Sequence, residues 1–148
     1  MKNFRTAFAV AAFAAFFATA AGAESGWSTD YKLSQKEAKE NHKRVLLNFT
    51  GSDWCGWCIR LQKEVFDKPE FADYAAKNLV LVELDFPARK QLSDPIRQQN
   101  MEMAQRYQIQ GFPTIIVLNG DGQAVGALGY TPGGPSAFIA ELEKLPKG

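Results

Sequence analysis

The chain has 148 residues, with 17 lysines and arginines against 16 aspartates and glutamates. A formal net charge of +1 gives no electrostatic reason to expect nucleic acid or an anionic membrane as a partner, and we predict no nucleic-acid binding. The length suits one domain of ordinary size once a leader is removed.

The first residues have the layout of a secretory signal peptide. A basic start, an apolar stretch over residues 7–18 and a small-x-small cleavage pattern ending at Ala23 follow one another. The apolar stretch is too short to span a membrane. We therefore predict a signal peptide over residues 1–23 and a mature domain over residues 24–148, located in the periplasm or secreted. An uncleaved N-terminal anchor is the alternative.

The first part of the mature chain predicts a lead-in, a helix and a strand. Residues 24–33 predict an irregular or extended lead-in, and we expect Trp27 and Tyr31 to anchor it by packing. Residues 34–37 have the form of a capping box, which predicts a helix that starts there and runs to about Asn41. The apolar run at residues 45–49 is typical of a short buried strand.

The rest of the chain alternates helices with strands. Residues 87–100 are polar and predict a loop with a helical piece, while residues 119–122 predict a hairpin turn. Because strands joined by helices pair in parallel and a tight turn adds an antiparallel edge, the order predicts an α/β fold. Its central mixed β-sheet has about four to five strands flanked by helices. Helices are predicted over residues 55–66, from Pro69 onward, over residues 101–107 and from Pro135 onward, and strands over residues 79–86, 114–118 and 123–128.

Cys55 and Cys58 are the two cysteines of the chain and carry its clearest chemical signal. They stand where a strand pattern gives way to a helix pattern, and the first turn of a helix brings residues three apart close enough to form a disulfide. Free backbone N–H groups and the helix dipole there favour a thiolate at Cys55. So short a disulfide loop stabilises the fold weakly, which favours a redox role over a structural one. We expect Asp53 to cap this helix.

Two motifs of the chain stand out together: Trp54-Cys55-Gly56-Trp57-Cys58 after a buried strand and Gly111-Phe112-Pro113-Thr114 before a later one. They resemble the thioredoxin superfamily, and the resemblance covers roughly residues 27–145. The first is most similar to the exported bacterial branch of thiol-disulfide interchange proteins. The resemblance implies a thioredoxin-like fold and a cis peptide bond between Phe112 and Pro113. It also implies substrate contacts by Trp54, Gly56, Trp57, Phe112 and Pro113.

This resemblance implies a thiol-disulfide oxidoreductase that acts on protein disulfides, in the direction of reduction or interchange. Cys55 would be the exposed nucleophile with a lowered pKa, and Cys58 would resolve the mixed disulfide, leaving a Cys55–Cys58 disulfide. Protein thiols and disulfides are the implied substrates, a membrane thiol-disulfide protein is the implied electron donor, and we expect a monomer. The alternative is a thioredoxin-fold binding module whose disulfide is structural.

The chain departs from familiar thioredoxins at two places. Gly56-Trp57 stands between the cysteines instead of Gly-Pro, and Asn48 stands on the preceding strand where thioredoxins place a buried carboxylate. Glu83 on the next strand is our candidate substitute for that carboxylate.

We predict neither metal nor cofactor. Two cysteines and the single histidine, His42, are too few for a structural zinc site. Haem attachment requires a histidine directly after the second cysteine, where this chain has Ile59. We expect Trp57 to form an apolar lip that grips an extended substrate.

Overall fold

The computed structural model of the chain describes residues 26–147. The predicted signal peptide at residues 1–23 and its cleavage site lie outside that range. The strands are β1 (Trp27–Ser28), β2 (Arg44–Thr50), β3 (Leu79–Asp85), β4 (Thr114–Leu118) and β5 (Ala124–Leu128). The helices are α1 (Tyr31–Glu40), α2 (Gly56–Leu61), α3 (Pro69–Asn78), α4 (Asp94–Arg106) and α5 (Gly134–Lys144), and a π-helical segment (Gln62–Phe66) continues α2.

The strands form one five-stranded sheet in the order β1-β3-β2-β4-β5. β3 pairs in parallel with both β1 and β2, whereas β4 is antiparallel to β2 and β5 is antiparallel to β4. The predicted α/β fold with a mixed sheet and an antiparallel hairpin edge is therefore confirmed. Because β2 lies at the centre of the sheet, the chain that leaves its end at Thr50 emerges between two neighbouring strands.

Each face of the sheet has its own apolar core. Leu46 of β2 belongs to the core formed with α2, the π-helical segment, α3 and α5, while its neighbours Val45 and Leu47 belong to the core formed with α1 and α4. Successive side chains of a strand point to opposite faces, so every residue of β2 is buried. A strand covered on both faces holds its C-terminal end firmly, and the site begins at that end.

Two predicted helix starts differ from the structure, and the irregular or extended lead-in takes a more definite form. α1 begins at Tyr31, because the Asp30 carboxylate accepts the N–H of Leu33 and caps the helix, while Ser34 lies inside it with its hydroxyl bonded to the Asp30 carbonyl. The lead-in contains the short strand β1, which pairs with β3. The helical piece predicted before residue 101 and the helix predicted after it form one continuous helix, α4 (Asp94–Arg106). Pro95 does not interrupt it, because it lies in the first turn, where proline is tolerated.

Among residues 26–147, none of the helices combines the length and the apolar character that crossing a membrane requires.

Candidate active site: a disulfide at the start of a helix

The two cysteines lie at the junction of β2 and α2. The chain leaves β2 at Thr50, turns, and enters α2 with Cys55 at the N-cap position. The Cys55 and Cys58 sulfurs are bonded to each other, with Cα atoms 5.2 Å apart. The Cys58 backbone N–H donates to the Cys55 sulfur at 3.2 Å. The sulfur thus takes the place of the oxygen that usually caps a helix, where free amides and the helix dipole favour negative charge.

Both cysteines are largely covered in this disulfide state. Cys55 is 7% exposed and Cys58 is 5% exposed. The expectation of an exposed Cys55 therefore differs from the structure. The reason is local, since the capping arrangement turns the Cys55 side chain back over the first turn of α2 instead of outward.

Asp53 does not cap α2, and that prediction is wrong. Cys55 holds the N-cap position, and the Asp53 carboxylate instead accepts backbone N–H groups of Ala88, Arg89 and Lys90 at 2.8, 2.7 and 3.1 Å. These bonds, chiefly the one from Ala88, hold the pKa of the Asp53 carboxyl below its ordinary value. Asp53 therefore ties the loop after β3 to the turn before the cysteines.

Trp54, the residue before Cys55, belongs to an aromatic cluster with Phe86 and Phe112. It is 51% exposed, its ring nitrogen donates to the Phe86 carbonyl at 2.8 Å, and its ring meets Phe112 edge-on at 5.9 Å. Phe86 in turn stacks on Phe112 at 5.2 Å. The indole also covers Gly51, where an added Cβ would lie only 2.5 Å from the ring. Only glycine leaves room for Trp54 in this position.

The second sequence motif lies against the first. The peptide bond between Phe112 and Pro113 is cis, as the resemblance implies, and both residues are half-buried at the entrance to β4. The contact between Phe112 and Trp54 joins the two motifs. An added Cβ at Gly56 would meet nothing within 4 Å, so the chain between the cysteines leaves open space above it.

Trp57 belongs to a separate group of side chains that we call the Trp57 platform (Trp57, Arg60, Glu64 and Tyr130). Trp57 is 56% exposed, and its ring lies 5.1 Å from that of Tyr130. The Arg60 guanidinium lies over both rings. Sequence reasoning missed Arg60, Glu64 and Tyr130. The helical spacing of the first two from Trp57 was a usable signal, but Tyr130 is brought in by the fold from the distant link before α5.

A cavity of about 200 Å³ lies beside Cys58, and Glu83 contributes to its lining. Burial raises the pKa of the Glu83 carboxyl, the charge of Asp85 raises it further, and Lys90 opposes the shift. Asn48 pairs with Glu83 in the β2–β3 register and is 3% exposed. Among residues 26–147, its side-chain oxygen has no hydrogen-bond partner. The cavity is lined by Thr50, Ser52, Cys58, Ile59, Gln62, Lys63, Asp67 and Glu83.

Within residues 26–147, no group of histidine, cysteine, aspartate and glutamate side chains is arranged to hold a metal ion. His42 lies exposed in the turn after α1, away from the cysteine pair in the sequence.

A cysteine pair at a helix start, joined through the Trp54–Phe112 contact to a cis-proline at a strand entrance, defines a dithiol protein with a thioredoxin fold. Residues 31–146 match the thioredoxin-like domain family, and the chain belongs to that family. The chain is 34% identical over 127 residues to "Disulfide bond reductase DsbH" of Chlamydia pneumoniae, covering 86% of this chain and 76% of that protein.

Similar solved structures support the same fold. A structure described as "DsbH Oxidoreductase" is 34% identical, with a TM-score of 0.76 over 80% of this chain and 81% of that one. The reduced C-terminal domain of Neisseria meningitidis DsbD, at 23% identity, has a TM-score of 0.60 over 78% and 93% of the two chains and supports the fold. The chain is a thiol-disulfide oxidoreductase.

Proposed function

We propose that this chain is an exported enzyme that reduces or interchanges protein disulfides through Cys55 and Cys58. The observation that carries the proposal is the Cys55 sulfur at the N-cap of α2, within hydrogen-bond distance of the Cys58 N–H. Reduction opens the pair, and the same amide and dipole then stabilise a Cys55 thiolate. The similarity to a protein named as a disulfide bond reductase supports the direction of reduction.

The proposed reaction is thiol-disulfide exchange. The Cys55 thiolate attacks one sulfur of a substrate disulfide, which breaks that bond, forms a mixed disulfide and releases a substrate thiolate that takes a proton. The Cys58 thiol then loses its proton and attacks the Cys55 sulfur, which releases the second substrate thiol. Two electrons pass to the substrate, and the Cys55–Cys58 disulfide remains. A dithiol donor, which we propose to be a membrane thiol-disulfide protein, returns the enzyme to its reduced form.

We assign the proton from Cys58 to Glu83. The two residues line the same cavity, and the raised pKa of Glu83 makes its carboxylate a better proton acceptor than an ordinary one. Asn48 cannot ionise, so it cannot serve in this role.

The substrate chain would lie across the cysteine motif. We propose that the Phe112 backbone and Pro113 align the substrate sulfur with Cys55, that Gly56 leaves room for its approach, and that Trp54 and Trp57 contact its flanks. The exposed fractions of the two tryptophans, 51% and 56%, are consistent with such contacts. We further propose that the enzyme acts as a monomer.

Single substitutions at the two cysteines test the mechanism. In an assay of protein disulfide reduction, Cys55→Ser should reduce activity to background, because the attacking sulfur is lost. Cys58→Ser should instead accumulate a mixed disulfide with the substrate, visible on a non-reducing gel, because the resolving sulfur is lost.

Thiol alkylation separates an enzyme from a binding module with a structural disulfide. After mild reduction of the wild-type protein, Cys55 should react much faster than Cys58, because only Cys55 sits among the free amides of α2. Equally slow alkylation of both thiols would contradict the enzymatic proposal and favour the binding module.

A further inference from the structure

The four residues of the Trp57 platform are joined in a closed set of contacts beside the disulfide. The Tyr130 hydroxyl donates to one oxygen of the Glu64 carboxylate at 2.6 Å, and Arg60 donates to the other at 2.7 Å. The Arg60 guanidinium then lies 5.5 Å from the centre of the Trp57 ring and 5.3 Å from that of Tyr130. Each side chain is therefore held by at least two others.

The charges in this group support one another. The hydrogen bond from Tyr130, followed by that from Arg60, holds the pKa of the Glu64 carboxyl below its ordinary value. The same bond to Glu64 raises the pKa of the Tyr130 hydroxyl. At neutral pH the carboxylate is thus ionised and the tyrosine keeps its proton, so all the contacts persist together.

The arrangement leaves Trp57 exposed yet fixed. Its ring is 56% exposed although it lies against Tyr130 and Arg60. An exposed tryptophan that moves freely loses conformational entropy when a ligand orders it, whereas a ring that is already fixed avoids most of that cost. Trp57 lies between the two cysteines in the sequence, so its orientation decides what a substrate flank meets there.

We propose that Arg60, Glu64 and Tyr130 are positioning residues that fix the Trp57 ring beside Cys55 and so favour extended protein segments over small disulfides. This inference rests on the proposed function, since it assigns a role in substrate recognition at the same site. A small disulfide reaches the sulfur without touching the platform, whereas a polypeptide flank lies along it. The platform should therefore affect KM for protein substrates and leave the reaction of small disulfides unchanged.

The experiment compares two substrates on four proteins. Insulin serves as the protein disulfide and 5,5′-dithiobis(2-nitrobenzoate) as the small one, with the wild type, Tyr130→Phe, Tyr130→Ala and Trp57→Ala. Tyr130→Ala and Trp57→Ala should each lower kcat/KM for insulin by about threefold or more, mainly through KM, because each removes an aromatic contact. Tyr130→Phe, which keeps the ring and loses only the bond to Glu64, should have a smaller effect in the same direction. Turnover of the small disulfide by Tyr130→Phe and Tyr130→Ala should stay at the wild-type level, and Trp57→Ala should lose less activity on the small disulfide than on insulin.

A fluorescence measurement reports the position of Trp57 directly. In a Trp54→Phe background, Trp57 is the remaining strongly exposed tryptophan of residues 26–147, because Trp27 is half-buried. Quenching by acrylamide should increase when Tyr130→Ala is added, since the ring loses its cover. A merely structural contribution of Tyr130 would lower thermal stability without this change.

Tyr74 provides a matched control. It also bonds to a glutamate, Glu143, and to an arginine, Arg44, but this group lies at the opposite end of β2 from the disulfide. Tyr74→Phe should leave turnover of both substrates at the wild-type level. The inference is overturned by Tyr130→Ala retaining wild-type insulin turnover, by equal losses for the two substrates, or by unchanged quenching. A wild-type enzyme that reduces neither substrate would instead overturn the proposed function itself.

Discussion

At the scale of single residues, Glu83 is the acidic side chain that we propose serves the second cysteine. It faces the cavity beside Cys58 and stands next to Asn48 across the β2–β3 register. The raised pKa that follows from its burial makes it both a candidate proton acceptor and a small liability for folding, because its charged form is partly deprived of water.

The pH dependence of stability tests this environment. Since the pKa of Glu83 is higher in the folded than in the unfolded protein, the folded state binds its proton more tightly. Its contribution to stability is therefore complete below the ordinary carboxyl value of 4.5 and is lost as the pH rises through the raised value. We expect urea unfolding to show that the wild type loses stability relative to Glu83→Gln across this interval.

Glu37→Gln is the control for that comparison, because Glu37 is exposed on α1. The dependence of its unfolding free energy on pH should match that of the wild type. A difference between wild type and Glu83→Gln that is constant with pH would contradict the assigned environment. Glu83→Gln should also slow resolution of the mixed disulfide, whereas the initial attack by Cys55 should be unaffected.

At the scale of elements, the sequence indicated those strands and helices whose signal is local. The apolar runs of β2, β3 and β4 and the turn at residues 119–122 are continuous in sequence, so their positions were close to correct. β1 was predicted only as part of an irregular or extended lead-in, because two residues carry no pattern, and the pairing of Trp27 with Leu81 makes the strand. α1 starts at Tyr31 and not at the predicted residue 34, because Asp30 caps the helix.

The same distinction applies to the candidate site. The cysteine pair could be predicted because both residues and the helix start lie within one short segment. Asp53 was misassigned because its partners are amides of the loop after β3, more than thirty positions away in sequence. Phe86 and Tyr130 could not be predicted for the same reason, since only the folded sheet brings them to Trp54 and Trp57.

The aromatic junction at Phe66 is where β1, the π-helical segment, α3 and α5 meet. Trp27, Phe71 and Phe138 have ring centres 5.0, 4.9 and 5.5 Å from that of Phe66. Phe71 is fully buried. The π-helical segment that contains Phe66 directly continues α2. Loss of the packing around Phe66 should therefore also destabilise the active-site helix.

Phe71→Ala should lower the free energy of unfolding by about 3–5 kcal/mol, because it removes a large buried ring and leaves a cavity. Chemical denaturation of the oxidised protein measures this loss. Leu33→Ala on α1, where the leucine is 66% exposed, serves as the control and should change stability by less than about 0.5 kcal/mol. A loss at Phe71 as small as at Leu33 would show that the junction contributes little.

At the scale of the whole molecule, the proposed cleavage site lies before the first described strand. That strand, β1, begins at Trp27, whose ring packs on Phe66. Cleavage after Ala23 would leave β1 in the mature chain, with residue 24 as its first residue. The leader would also take two basic residues and no acidic one with it, leaving a nearly neutral domain.

We therefore expect the 148-residue chain, produced in a bacterium with two membranes, to appear in the periplasmic fraction with Glu24 as its N-terminal residue. Mass spectrometry of the purified protein measures this end directly. Ala23→Leu should slow or block processing, because signal cleavage requires a small residue at that position. Ser25→Ala is the control, because it lies just past the cut and should be processed normally. Ala38→Ser would be unsuitable, since Ala38 is fully buried. An unprocessed wild-type chain in the membrane fraction would favour the uncleaved anchor.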